Sequence, residues 1–211
     1  MAALTFYPVH AGYRIVHGRP VIDLYGRTAD RKQVCVEVEG FSPYFYVQPK
    51  HGHQGKLIEE IGSITVKERD RDVRATHVEK VELAAATKKE PFLKVYAQLP
   101  PDVKLLRGEL KGNKNVKEIF DADIPYVRRF FIDKDIVPLR PVKVEGEQAG
   151  SSLKVPLVMT RPEGISGQEE SEYAKVKALA LDIETYNPEG EVIAPDRFPI
   201  LMAGFVGERF R

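Results

Sequence analysis

Cysteine is nearly absent: Cys35 stands alone, so no internal disulfide can form and no Cys/His spacing suggests zinc. Net charge is scarce as well. Lys+Arg 32 against Asp+Glu 31 leaves a formal +1, so bulk electrostatics does not announce a polyanion binder, and any basic patch must come from local clustering. No apolar run approaches a membrane span, and the first residues lack the basic-then-apolar pattern of a signal peptide. No internal repeat or low-complexity tract interrupts the chain. At 211 residues there is room for one large or two small domains with real cores, and a cytoplasmic protein is expected.

What is present begins with β patterning. Gly12 to Tyr25 alternates around His17-Gly18-Arg19, which predicts a hairpin with Gly18 free to take positive φ. Val34 to Val38 extends this into a meander, with Cys35 as a small buried residue, and Gly40 breaks it before FSPYFYV at 41–47. Tyr44, Phe45 and Tyr46 suit either stacking on bases or burial in a core. Apolar Leu57, Ile58 and Ile61 predict a short helix over 56–61; strands follow at 63–68 and 76–83 with the charged RDRDVR as a solvated loop between them. PFLKVYAQL is another strand. Pro100-Pro101-Asp102 opens a helix through Leu110, with Asp102 favourable beside the helix dipole, and a strand closes at 116–121. Strand, helix, strand, strand, helix, strand is the order of a split βαβ, ferredoxin-like (RRM-like) sheet.

DIPYVRRFFIDKDIVP at 123–138 places Ile124, Val127, Phe130 and Phe131 at helical spacing, with Arg128, Arg129 and Lys134 on the other side. Composition then shifts: 140–173 is rich in Gly, Ser, Pro and Glu around a short apolar strand at 155–159, and is expected to connect two domains, 1–139 and 174–211. The second begins with ALALDIET, an apolar strand carrying Asp182 and Glu184, followed by a polar loop and an apolar strand over 199–206. Residues two apart on a strand share a face. Two carboxylates side by side repel unless a cation lies between them, and hard divalent ions such as Mg²⁺ or Mn²⁺ take oxygen ligands. In a strand that reads as buried, unpaired charge is costly, which favours a metal.

Leu-Asp-Ile-Glu-Thr followed by a loop and an apolar strand resembles the first exonuclease motif of the B-family DNA polymerases, and GRPVIDLY, FSPYFYV and DIPYVRRFFIDKDIVP resemble the archaeal members of that family. The resemblance implies an α+β fold: a β-meander with a ferredoxin-like subdomain, then the first strands of a ribonuclease H-like exonuclease domain. It implies a DNA-directed DNA polymerase with 3′→5′ proofreading, in which Asp182 and Glu184 bind two Mg²⁺ or Mn²⁺ ions, Glu184 also orienting the attacking water. DNA as primer-template and single-stranded template, deoxynucleoside triphosphates and a sliding clamp are the implied partners, with association to the nucleoid. The later exonuclease and polymerase motifs are not in these residues, so the chain is expected to be an N-terminal piece, inert by itself. Archaeal relatives carry a template-base pocket that captures uracil; carried over, it involves Tyr13, Pro43, Phe92, Ile124, Pro125, Tyr126 and Arg129. Phe92 departs from the pattern: an ungapped alignment over Val78 to Val103 places it where relatives carry a smaller valine, and its ring could fill the space for the base. The competing expectation is a stand-alone single-stranded nucleic-acid-binding module in which Asp-x-Glu has no chemical role.

Overall fold

The computed structural model describes residues 2–85, 88–149, 155–168, 178–190, 192 and 194–207, and divides into two compact units, Met1–Tyr173 and Ala174–Arg211. The first unit opens with β1 (Ala2–Val16), β2 (Arg19–Thr28) and β3 (Gln33–Val38). His17 and Gly18, at φ 49° and 74°, form the two-residue turn between β1 and β2, with the positive φ pair that matches strand twist. Next come β4 (Tyr44–Pro49), α1 (Gln54–Ser63), β5 (Val66–Glu68), β6 (Arg71–Val73), β7 (Ala75–Ala85), β8 (Lys88–Ala97), α2 (Asp102–Leu110) and β9 (Val116–Phe120). The unit then continues through α3 (Tyr126–Asp133), β10 (Val142–Ala149) and β11 (Leu157–Gly167).

The expected meander is a closed barrel, in the order β1-β10-β11-β3-β2. All neighbours are antiparallel except β11 and β3, which pair in parallel from Leu157↔Val34 to Thr160↔Glu37. In the segment expected to connect two domains, β10 and β11 are therefore wall. Its polar composition hides a period of two: Val142 and Val144 turn inward, with charged Lys143 and Glu145 outside, and Met159 is also buried. Phe6, Ile22, Leu24 and Val36 fill the barrel, and α3 packs against it through Tyr126 and Phe130.

The second core lies under a four-stranded antiparallel sheet, order β7-β8-β4-β9. Alternation decides its faces. Phe45, Val47, Leu93 and Val95 meet Leu57 and Ile61 of α1 and Leu106 and Leu110 of α2, whereas Tyr44, Tyr46 and Tyr96 turn to the opposite face. The aromatic run thus divides: Phe45 is core, and its two tyrosine neighbours are not in that cluster. RDRDVR is only in part a loop: Arg69 and Asp70 make a turn, and the strand β6 follows. β6 pairs with β5 in a two-stranded ribbon, where Lys67 pairs with Asp72 and Arg71 reaches the buried Asp102. The helix expected over 123–138 is shorter, and Arg129, expected on its solvent side, is buried because Asp121 and Asp133 compensate its charge.

The second unit is an antiparallel hairpin of β12 (Leu179–Thr185) and β13 (Ile200–Gly207). Leu181 and Ile183 are 60% and 49% exposed, so the strand expected to be buried is open, since two strands alone have no layer to cover them. The architecture is mixed α+β and dominated by strands. Among the described residues no helix is long and apolar enough to cross a membrane.

Candidate functional site

Two places gather the residues singled out by sequence, one in each unit. In the first unit a cavity of about 200 Å³ lies where β4 begins, α2 begins and the chain enters α3. Pro43 and Tyr44 come from the start of β4, held by Pro43 O accepting from Ala97 N at 2.8 Å. Asp121, at φ 62°, turns the chain after β9, and Ile124 N donates back to Asp121 O at 3.3 Å. Pro125 is extended, φ −56° and ψ 139°, and leads into α3 where its missing N–H costs nothing.

Five of the seven expected pocket residues line this cavity together: Pro43, Ile124, Pro125, Tyr126 and Arg129. Tyr13 and Phe92 do not. The Tyr13 ring meets that of Tyr126 edge-on at 5.3 Å, and Phe92 packs against Phe120 at 5.6 Å on the tyrosine-bearing face of the sheet. In the place expected for Phe92, Val103 of the first turn of α2 lines the cavity, beside Lys104 and Pro100. The sequence marks Pro100-Pro101-Asp102 as a helix start, and the valine two residues after the second proline is the signal for this wall of the cavity.

The walls are held by polar contacts. Tyr126 donates from its hydroxyl to Phe41 O at 2.5 Å, and burial pushes its phenol above the usual range. The Tyr44 phenol is pushed up too, by burial first and then by its hydrogen bond to Asp133. Arg129 pairs with Asp121 at 2.5 Å and lies 5.1 Å from the Tyr44 ring centre, while its buried Nε has no hydrogen-bond partner. The result is an apolar slot with one buried cation, and with Lys104 and Asp123 exposed beside it.

In the second unit Asp182 and Glu184 lie on one face of β12 by strand alternation, opposite Gly204 and Met202 of β13. A Cβ at Gly204 would meet nothing within 4 Å, so the space across from Asp182 is open. The intervening loop is closed by Tyr186 N donating to Pro199 O at 3.1 Å. Both acids are exposed, and no group of three His, Cys, Asp or Glu gathers among the described residues. Two hard oxygen donors on one open face fit one side of a divalent cation and leave the rest of its shell to water or other ligands.

Residues 117–210, which include both acids, match the family described as DNA polymerase family B, exonuclease domain. The chain is also 29% identical over 94% of its length to a DNA polymerase of Pyrococcus glycovorans, and 30% identical over 93% of its length to one of Methanocaldococcus jannaschii. The chain is a relative of the family B DNA polymerases. It spans 21% and 10% of the length of those two polymerases. The solved family B polymerase from the archaeon Pyrobaculum calidifontis matches 99% of this chain and 26% of its own, at TM-score 0.75 and 29% identity.

Proposed function

We propose that this chain is the template-contacting and exonuclease-entering part of a DNA-directed DNA polymerase with 3′→5′ proofreading. The observation that carries the reading is the pair Asp182 and Glu184, on one open strand face inside the stretch that matches the family B exonuclease domain. In this reading β12 and β13 are the first strands of a ribonuclease H-like domain, and the four-stranded sheet with both helices on one face is ferredoxin-like (RRM-like). Asp182 and Glu184 hold Mg²⁺ or Mn²⁺, and Glu184 also orients water. Held by Asp182 and Glu184, such an ion would supply activation of that water and neutralisation of charge on the scissile phosphate. Deoxynucleoside triphosphates and a sliding clamp are partners of the whole polymerase, which works on DNA at the nucleoid.

The cavity receives an extruded template base. Pro43, Val103, Ile124, Pro125 and Tyr126 offer apolar contact to a flat ring, and the rigid proline walls favour a pyrimidine such as uracil over larger bases.

With two ligands in place, cation binding by the 211-residue chain is expected to be weak and turnover absent. Mn²⁺ titration followed by electron paramagnetic resonance checks this: binding should disappear in Asp182→Ala. Binding that survives the substitution sinks the metal assignment. Release of mononucleotides from single-stranded DNA that depends on Asp182 sinks the expected inactivity.

A further inference from the structure

We infer that the solvent face of α2 is a track for the phosphates of single-stranded DNA, running from the cavity rim along Lys104, Arg107 and Lys111. The inference rests on the proposed base-receiving role of the cavity and specifies how the strand around that base is held. Lys104, Arg107 and Lys111 recur three and four residues apart, which places them on one helix face. All three are exposed, while Leu106 and Leu110 of the same helix are buried against the sheet. Lys111 belongs to the same spiral, since its backbone is still helical at φ −60° and ψ −29° and its N–H bonds Arg107 O.

Three cations on a solvated helix face usually find acidic neighbours; these do not. None of the three forms an ion pair with a described residue. Asp102, the acid in the first turn, is buried, with Arg71 on one carboxylate oxygen and Leu99 N donating to the other, so it does not neutralise the stripe. Glu109 projects from another side of the helix by its spacing. Gly108 lies between the basic residues, and a Cβ there would meet nothing within 4 Å, so a backbone can approach the helix closely.

The stripe begins at the cavity itself, because Lys104 both lines the cavity and starts the row. From Lys104 to Lys111 the helix advances about 10 Å. A strand with one base in the cavity can therefore lay its adjoining phosphates against unpaired cations without crossing a carboxylate of α2. Asp123 also lines the cavity, but from the connection between β9 and α3 rather than from α2, and it repels a phosphate placed beside it.

Fluorescence anisotropy of the full chain with a labelled single strand, carrying one uracil or one thymine at the same place, tests this across roughly 50 to 200 mM salt. Lys104→Gln/Arg107→Gln/Lys111→Gln should weaken both complexes. It should also lower the magnitude of the log-log salt slope by ~2, at about 0.7 per lost phosphate contact. Arg107→Gln/Lys111→Gln, which leaves the cavity lining intact, should keep the uracil preference unchanged. A control with three exposed cations removed from the β2–β3 end, Arg27→Gln/Arg31→Gln/Lys32→Gln, should keep the parent slope. An unchanged slope in the α2 variant, or an equal drop in the control, overturns the track. Equal affinity of the parent chain for the two strands overturns the cavity's role and leaves the slope readable. No binding of either strand overturns both.

Discussion

The Tyr44 hydroxyl lies 2.8 and 2.7 Å from the two carboxylate oxygens of Asp133, tying the first strand of the four-stranded sheet to the last turn of α3. The contact joins the two cores of the first unit across 89 residues of sequence, and the Tyr44 ring also packs edge-on to Phe41. Tyr44→Phe removes the donor and keeps the ring. A loss of about 1–3 kcal/mol is expected in urea unfolding, because the half-buried carboxylate loses a partner. Asp133→Asn should cost less, since an amide still accepts from the hydroxyl. Equal stability of the parent and Tyr44→Phe proteins would show that Arg129 alone satisfies Asp133.

Alkaline pH should loosen the first unit. Burial pushes the Cys35 thiol from 9.0 to about 12, and burial with the hydrogen bond to Glu79 pushes Tyr96 from 10.0 to about 12. Each folded value lies above the unfolded one, so the stability these groups contribute is complete below about pH 9 and is lost as pH rises toward 12. Unfolding midpoints should be flat from pH 7 to about pH 9 and fall above it. Tyr96→Phe should reduce the fall. A midpoint that rises between pH 9 and 11 contradicts the sign.

Gly26 sits opposite Pro8, where the β1–β2 register shifts between Pro8 and His10. A Cβ at Gly26 would come within 2.4 Å of Tyr7 O and 2.6 Å of the Phe6 ring. Gly26→Ala should therefore destabilise by roughly 1–3 kcal/mol through overpacking against backbone. Gly108→Ala, with open space around it in a helix, should be neutral or slightly stabilising. Thermal unfolding of the pair separates steric cost from backbone entropy.

The cavity offers a paired test of which side chain controls it. Val103→Phe places a ring in a space of about 200 Å³ and should abolish any preference for uracil over thymine strands, leaving the salt dependence intact. Phe92→Val removes a ring packed on Phe120, at a cost of about 2–4 kcal/mol in stability, and should leave the preference unchanged. The reverse pattern would return control of the pocket to Phe92.

Local pattern was enough for several parts of the architecture. The positive φ of Gly18, the opening of α2 after two prolines and the alternation of Asp182 and Glu184 follow from the conformational limits of single residues and short periods, which act before any tertiary contact forms. The same holds for most of the elements from β4 to β9, which carry their own periodicity, but not for β6, whose charged residues were expected to form a loop. Tertiary structure decided what depends on partners distant in sequence. That β10 and β11 close a barrel with β1 and β3 turns on register across more than a hundred residues, which polar composition around Val142 and Val144 concealed. That Arg129 is buried turns on Tyr44, far earlier in the chain, whose ring lies 5.1 Å from its guanidinium, while the nearby Asp121 and Asp133 offset its charge; that Val103 rather than Phe92 lines the cavity with Pro43 and Tyr126 turns on which face each element buries. Barrel closure and face selection are properties of assembled surfaces, so no window of neighbouring residues could have contained them.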